Sequence, residues 1–141
     1  NHNSLSRLRL GNTLGFLHRK GAVASDNGVV VIPGSRGSFS YLVEPIGDQK
    51  GNLYSLAHGA GRKWNRASCK ARLRDRLQPS SLFRTSLGSA VVCDDSELLY
   101  EEAPQAYKSI ETVIDDMERE ELIRVIATLR PIITYKMRRP L

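Results

Sequence analysis

"LYSLAHGAGRKWNRASCKARLRDRL", residues 53–77, decides how this chain is read. "LYSLA" (53–57) follows the turn chemistry of "GDQKGN" (47–52) and reads as a short strand. "AHGAGR" (57–62) then interrupts regular structure. Gly59 and Gly61 permit positive φ and let a ligand approach the backbone closely. Their N–H groups can form a concavity that holds an anion. "NRASCKARLRDRL" (65–77) is rich in helix formers, with Asn65 an N-cap residue type and Ala67/Ala71 and Leu73/Leu77 at i,i+4. The stretch is therefore expected to run strand, glycine loop, helix, with the helix N-terminus adding its dipole to the loop. Arg62, Lys63 and Arg66 supply cations beside it. A neutral imidazole held in such a phosphate pocket is a competent nucleophile toward phosphorus, which gives His58 a chemical reason to be there. Taken alone, a turn histidine beside an incidental glycine pair is the plainer reading.

Outward from this segment, "GVVVIP" (28–33), "SFSYLVEP" (38–45) and "SAVVCD" (89–94) read as strands. "APQAYKSIETVIDDM" (103–117) reads as a helix, because Tyr107, Ile110, Ile114 and Met117 recur at helical spacing behind Pro104. "LIRVIATL" and "PIITYK" are β-branched and favour strand. The class is α+β: a mixed, hairpin-rich sheet with a few helices. There is no internal repeat and no low-complexity tract.

The 141 residues suffice for one domain with a modest core, and 40% hydrophobic with 26% charged residues is a globular composition. No apolar run approaches the roughly 20 residues of a membrane span. The opening lacks an initiator Met and a signal-like apolar segment, which points to a piece of a longer protein. Cys69 and Cys93 form no CxxC and read as reduced intracellular thiols, so a cytoplasmic setting is expected. The net charge of +6 is unevenly spread. Residues 58–86 carry eight Lys/Arg and one acid; residues 94–121 carry eleven of the fifteen acids. A basic middle suits a polyanion such as RNA or a nucleoside triphosphate. Equally, those cations could solvate helix faces and pair with the acidic segment.

A second glycine-rich stretch, "IPGSRGSFSY" (32–41), offers Ser35 and Ser40 as hydrogen-bonding groups. It precedes the histidine loop by one expected hairpin, so both loops can face one site. "NHN" (1–3) offers an imidazole metal ligand between amides, although a histidine near a terminus is most often polar surface.

Taken in order, "HN" (2–3), "HRKGA" (18–22), "IPGSRGSFSYLV" (32–43), "AHGAGR" (57–62), "EEAPQAYKSI" (101–110) and "TLRPIITYK" (128–136) resemble the C-terminal part of the RtcB family of RNA-splicing ligases. The resemblance implies that residues 1–141 are a single partial domain of that fold. It implies an RNA ligase joining 3′-phosphate to 5′-hydroxyl ends, with GTP as co-substrate and two manganese ions. His58 takes the position of the guanylated histidine, and His2 that of a metal ligand. Asn3, Pro33, Gly34, Ser35, Arg36, Ser40, His58, Gly59, Ala60, Gly61, Tyr107 and Lys136 take nucleotide-binding positions. Arg36 stands where Met is common in the family, adding a cation at the nucleotide. Further metal ligands and the guanine-reading residues belong to the family's upstream part, which is therefore an expected partner, along with RNA. No membrane partner is expected. The alternatives are a non-catalytic GTP- or RNA-binding remnant and a plain RNA-binding module using the basic stretch 62–84. On the ligase reading Arg62 is expected at the nucleotide phosphates, and Arg72 and Arg76, sharing a helix face, at RNA phosphate or the acidic segment.

Overall fold

The computed structural model describes residues 3–137, so His2, the expected metal ligand, lies outside the described residues. The chain opens with an antiparallel ribbon, β1 (Asn3–Leu10) and β2 (Thr13–Lys20), joined across Gly11 and Asn12. Next come β3 (Ala22–Ala24), β4 (Val30–Ile32), β5 (Ser40–Pro45) and β6 (Ser55–Ala57). Two helices follow, α1 (Arg66–Leu73) and α2 (Pro79–Phe83), then β7 (Ala90–Cys93) and α3 (Ser96–Glu101). A 3-10 turn at Pro104–Ala106 leads to α4 (Ile110–Arg119), β8 (Ile123–Leu129) and β9 (Ile133–Lys136).

The fold is α+β, and its strands divide among four small sheets rather than one. β4, β5 and β8 form an antiparallel sheet in which Val30 faces Val43 and Ile32 faces Tyr41. The core lies between this sheet and α4: Val30, Ile32, Val43 and Ile123 pack with Ile110, Ile114 and Met117. α4 forms because Ser109 caps it, accepting from the Thr112 N–H at 3.1 Å, and because its apolar residues recur on one face. β3 pairs with β6, and β7 pairs with β9 in parallel.

Three expectations are corrected. The helix expected over 65–77 does start at an Asn65 cap, whose side chain accepts from the Ser68 N–H, but it ends at Leu73. Arg76 lies beyond that end, so it does not share a helical face with Arg72. The helix expected over 103–117 starts only at Ile110, which leaves Tyr107 outside it. Finally, β5 and β6 belong to different sheets, so no hairpin joins the two glycine loops.

Candidate active site

The two loops meet all the same, through direct backbone contact. After β4, Pro33 leads into a turn closed by Ser38 N–H donating to Ser35 O at 3.0 Å. The Gly34 N–H donates to Ser40 Oγ at 3.0 Å. A Cβ on Gly34 would stand 1.9 Å from the Phe39 carbonyl oxygen, so only glycine fits that crossing. At the end of β6, the His58 N–H donates to Gly21 O at 3.1 Å, which ties the histidine to the corner between β2 and β3. Gly59 passes so close to Pro33 that a Cβ would lie 3.3 Å from its carbonyl oxygen. Gly61 adopts φ +73° and turns the chain toward the segment after α3. There Lys108 N–H donates to Gly61 O at 3.0 Å and Lys63 N–H donates to Ala106 O at 2.8 Å.

These contacts enclose a cleft of about 490 Å³, within the range usual for small-molecule sites. Its walls hold Pro33, Gly34, Ser35, Arg36 and Ser40 from the first loop, and His58, Gly59, Ala60 and Gly61 from the second. Tyr107 and Lys136 join them from distant segments. Of the residues expected at a nucleotide, Asn3 and Arg62 are not on this wall; Asn3 pairs with Lys20 at the foot of the ribbon, exposed. Gly21, Glu102, Lys108, Ile110, Pro131 and Thr134 complete the lining and were not singled out in the sequence. Glu102 and Lys108 lie inside "EEAPQAYKSI", where the acids read only as a charge run.

Glu102 organises one side of the cleft. Its carboxylate accepts from the Tyr107 hydroxyl at 2.7 Å and pairs with Arg62 at 3.6 Å and with Arg66 and Lys136 at 3.8 Å. Burial and this carboxylate together push the Tyr107 hydroxyl up to about 12, against the opposing pull of Arg62. Tyr107 is therefore a neutral donor at physiological pH. Arg62, expected at the nucleotide phosphates, is not among the residues that line the cleft, but it holds two that are. Its guanidinium pairs with Glu102, lies 4.8 Å over the Tyr107 ring and donates to the Tyr107 hydroxyl at 2.9 Å, to Trp64 O and to Cys69 Sγ. The N-terminal residues of α1 are not among those that line the cleft. Arg36 does line the cleft. It is buried and donates from Nη2 to Leu99 O at 2.9 Å, and desolvation pulls its pKa below the ordinary arginine value.

Much of the basic stretch pairs internally. Besides the Arg62 and Arg66 contacts with Glu102, Arg66 approaches Glu101 and Lys70 pairs with Glu97. Arg72 lies over the Trp64 ring at 5.4 Å. Both cysteines are free, Cys69 buried. Among the described residues no group of three or more His, Cys, Asp or Glu is placed to hold a metal ion, so these residues do not by themselves make a manganese site. Nor is any helix among them long and apolar enough to cross a membrane.

Comparison with known proteins adds the deciding observation: the family profile described as tRNA-splicing ligase RtcB matches residues 1–137. The chain belongs to the RtcB family. It is 53% identical over 135 residues to the RNA-splicing ligase RtcB2 of Escherichia coli, covering 96% of this chain and 35% of that protein. It is 38% identical over 106 residues to the tRNA-splicing ligase RtcB of Archaeoglobus fulgidus, covering 73% of this chain and 21% of that one. The RtcB ligase of Methanocaldococcus jannaschii is 34% identical over 104 residues. The chain thus spans about a third or less of the length of these curated RtcB relatives.

Proposed function

We propose that this chain is the nucleotide-bearing part of a cytoplasmic RNA ligase, one that joins RNA 3′-phosphate or 2′,3′-cyclic phosphate ends to 5′-hydroxyl ends in RNA repair or tRNA splicing. One observation carries the reading. His58 shares a single cleft with two glycine loops, a neutral tyrosine hydroxyl and the cations Arg36, Lys108 and Lys136, which come from widely separated segments. Such a cleft suits a phosphorylated nucleotide beside an imidazole.

In the proposed reaction, an imidazole nitrogen of His58 attacks the α-phosphorus of GTP. The N–P bond forms as the α–β phosphoanhydride breaks, and pyrophosphate leaves. A 2′,3′-cyclic end is first opened by water to the 3′-phosphate; the RNA 3′-phosphate then attacks the GMP on His58, the N–P bond breaks and a new phosphoanhydride forms. The 5′-hydroxyl of the second RNA attacks the activated phosphate, GMP departs and the hydroxyl proton is lost. The backbone N–H groups of the two loops and the three cleft cations are proposed to hold the phosphates in line for these displacements. Manganese, when bound in the complete ligase, would supply Lewis acidity at the phosphates. His2 is the proposed contribution of this chain to its ligands, and the other donors would come from outside the described residues.

The test is incubation of the chain with α-labelled GTP and manganese, alone and with the rest of an RtcB ligase, followed by denaturing electrophoresis. The expected product is an acid-labile, alkali-stable covalent label that is absent from His58→Ala. That variant should keep its fold, because His58 sits in a loop and its loss opens no large core cavity. Label persisting in His58→Ala would move the nucleophile elsewhere. No label on the unsubstituted chain, even with its partner present, would leave a non-catalytic nucleotide-binding role.

A further inference from the structure

One face of the β1–β2 ribbon is exposed among the described residues. Cross-strand partners share a face, so Leu5 and His18, Arg7 and Phe16, and Arg9 and Leu14 line up on it, with Lys20 at its foot. All of these are exposed, Phe16 at 70%. No Asp or Glu occurs in residues 1–25. Among the described residues, Arg7, Arg9 and Lys20 make no ion pair, in contrast to Arg62, Arg66 and Lys70.

The opposite face fastens the ribbon to the histidine segment. Arg19, buried there, donates from Nε to Ser55 Oγ at 2.8 Å, from Nη1 to Ser6 Oγ at 3.1 Å and from Nη2 to Tyr54 O at 3.0 Å. The next residue but one, Gly21, accepts the His58 N–H. At the foot of the ribbon, Ser4 borders a second cleft of about 510 Å³, which His58 also lines. His58 therefore lines both clefts, one bearing the two glycine loops and the other bordered by the inner face of the ribbon at Ser4.

Resting on the ligase reading above, we propose that the outward face of the ribbon carries single-stranded RNA beside the histidine segment to which the ribbon is fastened. A cationic strip without acids is complementary to a phosphate backbone, and an exposed phenylalanine beside an arginine is a stacking platform for a base. The one-signed charge of this face, with no acid in residues 1–25, favours a polyanion over a protein surface.

The test measures binding of a fluorescein-labelled single-stranded oligouridylate with a 3′-phosphate, by anisotropy, over a series of salt concentrations. In Arg7→Gln/Arg9→Gln/Lys20→Gln the log–log salt slope should fall in magnitude by about two, each cation contributing about 0.7. In Phe16→Ala binding should weaken by about 5- to 150-fold with the slope unchanged. All four side chains are exposed, so the variants remove no buried contact. GTP labelling of His58 needs no RNA and should stay at the unsubstituted level in both variants. Unchanged RNA binding and slope, with labelling intact, would overturn the ribbon proposal alone. Failure of labelling in the unsubstituted protein supplied with the rest of the ligase would instead refute the ligase reading. A ribbon variant that left RNA binding intact but dissociated two copies, or released the rest of the ligase, would assign the face to protein contact and overturn the proposal.

Discussion

Tyr107 offers a test of the cleft that requires no catalysis. In Tyr107→Phe the ring stays beneath the Arg62 guanidinium, 4.8 Å away, and only the hydroxyl is lost. That hydroxyl donates to Glu102 at 2.7 Å and accepts from Arg62 at 2.9 Å. Hydrogen bonds to charged groups contribute about 1.5–3 kcal/mol each where well buried. Here the Glu102 and Arg62 side chains stay 15–19% exposed and keep each other at 3.6 Å, so the net loss at pH 7 should be about 2 kcal/mol. The pH dependence is more diagnostic. The folded hydroxyl titrates at about 12, and the unfolded one near 10. Because the folded value is raised, its contribution is fully present below pH 10 and is lost between pH 10 and 12, half of it by pH 11. Two units correspond to about 2.7 kcal/mol, which solvent screening of a half-buried group reduces to about 1–2 kcal/mol. Urea unfolding of both proteins from pH 7 to 11 should show their stability difference constant to about pH 9.5 and narrowing thereafter. Ionisation of the lysines affects both proteins alike and cancels in the difference. Parallel stability curves up to pH 11 would refute the Glu102–Tyr107–Arg62 arrangement.

Two further outcomes concern the frame of the cleft. Gly34→Ala should lose GTP labelling and stability together, because a Cβ placed 1.9 Å from the Phe39 carbonyl forces the first loop off Ser40; labelling and urea midpoint both at the unsubstituted level would show the loop to be tolerant. Ile114→Ala should cost about 2–4 kcal/mol in urea unfolding, as for a fully buried aliphatic truncation, since Ile114 is 3% exposed between α4 and the sheet; a loss near zero would mean that α4 does not seal the core.

What could be read in the sequence was whatever periodicity or turn chemistry announces. Ile110, Ile114 and Met117 marked the buried face of α4, the β-branched runs marked β4, β7, β8 and β9, and the glycine pairs marked both loops. Tyr107 fits the same helical spacing by coincidence, and so was drawn into the helix; the Ser109 cap is the local signal that excludes it. The β1–β2 ribbon escaped notice because its apolar residues fall on both faces, Leu5, Leu14 and Phe16 on one and Leu8 and Leu17 on the other, while the inner face is held by Arg19 hydrogen bonds to Ser6, Ser55 and Tyr54. Glu102 was hidden for another reason. Its role depends on cations that are 34 to 40 positions away in the chain, and no local pattern encodes such a meeting.

The distribution of charge now separates into three groups with different work to do. The cations after the second glycine loop appear in sequence as the natural phosphate binders. Yet Arg62, Arg66 and Lys70 are engaged by Glu97, Glu101 and Glu102, and so fasten α1 to α3. Counterion release rewards only cations that gain a phosphate without giving up a carboxylate, so this group has little to offer RNA. Arg36, Lys108 and Lys136 line the cleft, where Lys136 is shared with Glu102 and Arg36 is desolvated. They suit a small phosphorylated ligand rather than a long chain. Among the cations left, Arg7, Arg9 and Lys20 are exposed and without a nearby acid on their own strands, and Lys63, Arg72, Arg76 and Arg84 are exposed in the basic stretch. The salt dependence of RNA binding should therefore reside in the ribbon and in the exposed cations of 62–84 that no carboxylate engages, rather than in Arg62, Arg66 and Lys70.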